Sequence, residues 1–197
     1  MTPVPPIVLA SSSPYRAQLL QRIMAGFLVD APDVDESALP GESPDALARR
    51  LAESKALAVA KRHRGALVIG SDQVAAVDGQ VLGKPHETAR ARGQLEACSG
   101  RAVEFHTGLC LVDTRVPGAM IRTEVDLTRV HFRTLSGEEI ARYVERDEPL
   151  DCAGSFRVER LGVALFERID GSDPTALIGL PLIRVCRMLR AAGVPVP

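Results

Sequence analysis

Polar residues cluster at the ends of apolar runs in this sequence: Ser13 and Arg16; Asp35 and Glu36; Ser71, Asp72 and Gln73; Gly83, Lys84 and Pro85. Lys55 adds a cation within a helical run. These types suit phosphoryl chemistry. Guanidinium and ammonium groups neutralise phosphate charge, and hard carboxylate oxygens hold Mg²⁺ or Mn²⁺. A carboxylate left over can orient or deprotonate water. Each residue also has an ordinary reading. Asp72 suits a turn or cap, Lys84 a solvated loop, Glu36 plain surface, and Lys55 a basic helix face.

The elements that must position them follow from local pattern. In "IVLASSSPYRAQLL", Ile7 to Ala10 reads as a short buried strand. Leu19, Leu20, Ile23 and Met24 then recur at helical spacing. Between them Ser13 suits an N-cap and Pro14 the first helical position, where its missing N–H costs nothing. Such a strand–loop–helix junction turns free N–H groups and a positive dipole end toward an anion. Simple helix capping explains the same residues equally well.

Ser43-Pro44 opens a second helix reaching about His63, with Leu47, Leu51 and Ala58 on one face. A strand to Ile69 follows, then the polar Ser71 to Gln73, then a strand ending at Asp78-Gly79, a hairpin signal. In α/β folds ligands gather beyond the carboxyl ends of strands, so polar residues there are candidates. Glu87 to Cys98 reads as a helix stopped near Gly100. Val103–Asp113 and Ile121–Phe132 are rich in Val and Thr and read as strands. Ser136 to Glu139 is a capping box ahead of Ile140 and Tyr143. "LDCAGSFRVERLG" is expected as a loop, "VALFERI" as a strand, and Pro181 as the start of a last helix with Leu182, Val185 and Leu189 inward.

Bulk properties exclude several classes. The 197 residues are 46% apolar and 25% charged, with a net charge of −1, so nothing steers the chain toward a nucleic-acid polymer. No apolar run is long enough to span a membrane, and "MTPVPPIVLA" lacks the basic segment of a secretory signal. Cys98, Cys110, Cys152 and Cys186 are scattered without CxxC spacing, which argues against zinc and for small core fillers in a reducing, cytoplasmic setting. The histidines (His63, His86, His106, His131) show no convergent spacing. No repeat or linker divides the chain, so residues 1–197 are expected to form one domain.

In order, "LASSSPYRAQLL", "DVDES", "LAESKA", "GSDQV", "GKP", "TGL", "DCAGSF" and "GLPL" resemble the Maf family of nucleoside triphosphate pyrophosphatases, from about Ile7 to Leu189. The resemblance implies an α/β fold: an elongated, twisted mixed sheet flanked by helices, with two lobes and a central cleft. It implies hydrolysis between the α- and β-phosphates with a divalent metal, Mg²⁺ or Mn²⁺. Ser13, Arg16, Lys55 and Lys84 would bind the triphosphate, Glu36 would hold the metal, and Asp72 would accept the proton of the attacking water. A homodimer is consistent with the resemblance alone.

Within the family, a dTTP/UTP branch carries a second arginine where this chain has Tyr15, and Thr where it has Gln73. Tyr15, Gln73 and Glu159 instead resemble the branch acting on 7-methyl-GTP, although that branch carries Trp at the Tyr15 position. The physics agrees. N7-methylated guanine is cationic and is attracted to an aromatic face, and a carboxylate accepts its N1–H and exocyclic amine. Alternatives are a dTTP/UTP or broad-specificity pyrophosphatase, or a nucleotide-binding regulator of cell division with little catalysis.

Overall fold

The computed structural model describes residues 4–116 and 118–196; residues 1–3 of the stretch read above for a leader lie outside them. The chain forms β1 (Ile7–Ala10), α1 (Pro14–Gln21), β2 (Leu28–Asp30), α2 (Pro44–Ala60), β3 (Leu67–Val77), β4 (Gln80–Leu82), α3 (Thr88–Cys98), β5 (Ala102–Asp113), β6 (Met120–Phe132), α4 (Gly137–Asp147), β7 (Phe166–Asp170) and α5 (Leu182–Ala191). One mixed sheet runs β2-β1-β3-β5-β6-β7, with β4 attached to β3. β1 pairs in parallel with β2 and β3, and the other pairings are antiparallel. The expected α/β class and mixed sheet are what the chain adopts.

Local chemistry explains the boundaries that were legible. Ser13 caps α1, its Oγ accepting the Arg16 N–H at 3.4 Å, with Pro14 in the first turn. Asp78 (φ 49°) and Gly79 (φ 77°) take the two left-handed positions of the β3–β4 hairpin. Ser136 and Glu139 complete the capping box of α4. Other boundaries moved. The helix expected to reach His63 ends at Ala60. Val163 to Leu165, expected as strand, wind as a 3₁₀ turn, and β7 starts at Phe166.

One face of the sheet carries two separate apolar clusters. In the first, Ala75 and Val77 of β3, Phe105 of β5 and Phe132 of β6 pack with Leu95 of α3 and Ile140 of α4. In the second, Leu9, Ile69 and Leu109 pack with Leu20 of α1 and Val185 and Leu189 of α5. A polar belt of Ser71, Gln73 and Thr107 lies on the same face between them, since side chains alternate along a strand. The two clusters lie toward opposite ends of β3 and β5 on one continuous sheet.

The opposite face is covered by α2. Its inward stripe is Leu47, Ala48, Leu51, Ala52, Lys55, Ala56 and Val59; Ala58, expected there, is only partly buried. The helix backbone lies directly on the strands. A Cβ on Gly70 would fall 2.3 Å from the Ala52 carbonyl oxygen, and one on Gly108 would fall 2.2 Å from that of Ala48. Only glycine permits that approach.

Candidate active site

The cleft arises from a gap in strand pairing. β1 pairs with residues 67–70 of β3, and β4 pairs with residues 75–77 on the same side. Between them, residues 71–74 have no strand neighbour on that side among the described residues. Asp72 and Gln73 were read as standing at a strand end. They sit instead in the middle of a continuous strand whose edge is left open. A cavity of about 530 Å³ occupies the gap. It is lined by every site residue expected from the sequence: Ser13, Tyr15, Arg16, Glu36, Lys55, Asp72, Gln73, Lys84 and Glu159.

Asp72 points from β3 toward α2, where the Lys55 Nζ donates to its Oδ1 at 2.6 Å. The same Nζ lies 2.6 Å from Glu36 Oε1, so one ammonium bridges two carboxylates. Lys55 and Asp72 are 6% and 7% exposed, which excludes the basic-helix-face and the turn-residue readings, whereas Lys84 is exposed on its loop. Glu36 is exposed on the loop after β2. Desolvation raises its pKa, but the Lys55 hydrogen bond and the charges of Lys55, Lys84 and Arg16 outweigh it and hold the carboxyl below its usual range. Arg16 is half-buried; burial lowers its pKa, against the pull of Asp72 and Glu36. Arg16, Lys55 and Lys84 thus gather about Glu36 and Asp72, while Asp151 and Glu159 line the cleft elsewhere. That local cluster of cations suits a polyanion.

The loop before α5 anchors the cleft from the other side. The Gly179 carbonyl accepts the Arg16 Nε–H at 2.8 Å and lies 2.9 Å from Ser71 Oγ. Gly179 has φ 117°, and a Cβ there would meet Arg16 Nε at 3.3 Å. The Gln73 amide donates to the carbonyls of Ala176 and Leu177, at 2.9 and 3.1 Å. Carbonyls only accept, so this fixes which end of the amide is nitrogen and leaves Oε1 as the end offered to a ligand. Tyr15 is half-buried in the first turn of α1, and Glu159 is exposed at the cleft rim. An ion pair between Glu159 and its flanking arginines is not formed: Arg157 pairs with Asp151, and Arg160 with Asp147.

Sequence reasoning missed part of the lining. Val81, Leu82, Phe156, Val158, Leu177 and Ile178 give the cleft apolar walls. Phe156 stands edge-on to Phe105, with ring centroids 5.2 Å apart. None of these wall residues carried a local signal for the site; Phe156 and Val158 fall in the stretch expected as a loop. His86, set aside with the other histidines, also lines the cavity, its backbone at φ 60° and its N–H bonded to the Leu150 carbonyl at 3.0 Å. Its position directly after Gly-Lys-Pro was the available signal. Asp173, 2% exposed, was missed as well: it receives the Thr175 and Ile183 N–H groups and so holds the anchoring loop to α5.

Glu36 and Asp72 are hard oxygen donors of the kind that hold a divalent ion. Glu36 and Asp72 offer oxygens separated by at most twice their 2.6 Å distance to Nζ. No group of three or more His, Cys, Asp or Glu residues able to hold a metal occurs among the described residues. Mg²⁺ is ordinarily bound by one or two carboxylates, with phosphates and water completing the shell, so two carboxylates suffice.

A sequence profile of the Maf-like proteins matches residues 6–192. The chain therefore belongs to the Maf family. It is 53% identical over 196 residues to a protein of Nitrosococcus oceani named 7-methyl-GTP pyrophosphatase, covering 99% of this chain and 98% of that one. Proteins of the same name from Burkholderia thailandensis and Xanthomonas oryzae are 55% and 52% identical, each over 98% of this chain and over 90% and 100% of their own lengths.

Proposed function

We propose that this protein hydrolyses 7-methyl-GTP to 7-methyl-GMP and pyrophosphate. The observation that carries the reading is the convergence of Asp72, Lys55, Glu36, Arg16 and Lys84 in one cleft. Cations and hard carboxylates in that arrangement suit a triphosphate and an attacking water. The names of the relatives narrow the base to 7-methylguanine.

Arg16, Lys55 and Lys84 bind the triphosphate, joined by Ser13 and the open backbone at the start of α1. Asp72 accepts the proton of the water that attacks the α-phosphorus; an aspartate is ionised at neutral pH and serves as a weak base. Lys55 holds that carboxylate in place and offsets charge on the departing pyrophosphate. Glu36 and Asp72 are the residues that would hold a divalent ion, Mg²⁺ or Mn²⁺. When bound, that ion supplies charge neutralisation at the phosphates and lowers the pKa of coordinated water. Tyr15 offers its ring to the cationic base, while Gln73 Oε1 and the Glu159 carboxylate offer acceptors to its N–H groups. No helix among the described residues is long and apolar enough to cross a membrane. We assign the protein to the cytoplasm on its scattered free cysteines.

Purified protein with Mg²⁺ or Mn²⁺ is expected to release pyrophosphate from 7-methyl-GTP faster than from GTP, dTTP or UTP. A faster reaction with dTTP or UTP rejects the base assignment. No release from any nucleotide rejects the enzyme.

A further inference from the structure

Glu159 sits at the apex of a tight turn whose two ends are tied to the end of α4. The Arg157 N–H donates to the Tyr143 hydroxyl at 3.1 Å, and Arg157 Nη1 donates to the Asp147 carbonyl at 2.7 Å. On the far side of the apex, Arg160 Nε lies 3.2 Å from Asp147 Oδ1. The turn closes on itself, with the Arg160 and Gly162 N–H groups both reaching the Arg157 carbonyl. Gly162 is required for that closure, because a Cβ there would lie 2.4 Å from the same oxygen.

The anchor itself is buried. Asp147 is 1% exposed, and its Oδ2 accepts the Tyr143 hydroxyl at 2.7 Å. Burial first, and then this bond, push the phenol above its ordinary range, so it stays a donor. A buried carboxylate at the end of a short helix is costly unless satisfied. Here the Tyr143 hydroxyl bonds Oδ2 and the Arg160 guanidinium offsets the charge, while Oδ1 keeps no hydrogen bond; Tyr143 and Arg160 both lead to the turn carrying Glu159. Glu159 itself forms no ion pair or hydrogen bond among the described residues. Arg157 and Arg160, on either side of it, pair with Asp151 and Asp147, and its own carboxylate is left for a ligand.

We propose that Tyr143 and Asp147 are positioning residues for base recognition: they fix the turn that aims the Glu159 carboxylate into the cleft. The inference rests on the proposed reading of the cleft as a 7-methyl-GTP site. It assigns the pair no part in breaking the phosphoanhydride bond, which lies with Asp72, Lys55 and Glu36. Loss of the anchor therefore changes which base is preferred and leaves the common triphosphate chemistry in place.

The test is kcat/KM for 7-methyl-GTP and for UTP, in the intact protein and in Tyr143→Phe and Asp147→Asn. Each variant is expected to lose about tenfold on 7-methyl-GTP, and to change by less than about twofold on UTP. Melting temperatures measured alongside report on folding; where Tyr143→Phe fails to fold, the isosteric Asp147→Asn decides. An unchanged ratio of the two substrates, or equal losses on both, overturns the positioning role and leaves the proposed activity standing. Absence of any preference for 7-methyl-GTP in the unmodified protein overturns both.

Discussion

Lys55 of α2 and Asp72 of β3 meet ammonium to carboxylate at 2.6 Å, both nearly excluded from water, at the stretch of β3 left unpaired between β1 and β4. The helix that buries the sheet therefore also delivers the counter-ion of the proposed base.

Asp72→Asn keeps the size and the hydrogen-bonding reach of the side chain and removes its capacity to take a proton. Turnover of 7-methyl-GTP is expected to fall by about 10²–10⁴-fold, the contribution of a positioned general base. Nucleotide affinity, measured without divalent ion by titration calorimetry with a non-hydrolysable analogue, is expected to hold. A near-normal rate would assign water activation to another group.

Lys55→Met removes the cation and fills the space with an apolar chain. Asp72 then loses its buried partner, and breaking such pairs is strongly destabilising. The expected loss is about 3 kcal/mol, at the low end because Arg16 still faces Asp72. Glu36, being exposed, adds little. Urea unfolding at neutral pH measures the change.

Acid should destabilise the fold through three surface carboxylates. The Arg62 and then the His63 hydrogen bonds draw Asp30 down to about 2. Arg50 and the Leu39 N–H draw Glu42 to about 2, and the Ser136 N–H and then Arg133 draw Glu139 to about 2. Depressed folded values mean stability that is complete above the unfolded carboxylate range, near 4, and is lost as pH falls toward about 2. The urea midpoint is expected to drop across that window, and Glu139→Gln to flatten the drop.

Burial pushes the Cys98 and Cys110 thiols up to about 12, and Cys152 up to about 11. Iodoacetamide at pH 8 is expected to spare Cys98 and Cys110 until the chain unfolds, with native labelling confined to the partly exposed Cys152 and Cys186. Cys152 lines the cleft, so a bound nucleotide analogue should protect it and leave Cys186 unaffected. Peptide mass spectrometry reads all four sites.

Legibility in the sequence followed the range of the interaction. Ser13-Pro14, Asp78-Gly79 and the Ser136–Glu139 box are set by neighbours within a few residues, and each formed as expected. Lys55 is buried by a partner 17 positions away, which no local pattern reports. Asp72 and Gln73 interrupt an apolar run and so looked like a strand end. β3 continues through them because β5 pairs with it along its whole length. Val163 to Leu165 have strand composition, yet the tight turn closed by Gly162 winds them into a 3₁₀ turn. The fate of Glu159 depended on Asp151 and Asp147 engaging the adjacent arginines.

β3 and β5 each run unbroken from one apolar cluster into the other, and α2 spans both on the reverse face. No flexible joint separates the halves, so clamshell motion would have to bend two hydrogen-bonded strands and a helix seated on glycine. Adjustment to a bound nucleotide falls instead to the exposed rim residues Glu36 and Lys84. The floor of the cleft is thus assembled before the substrate arrives.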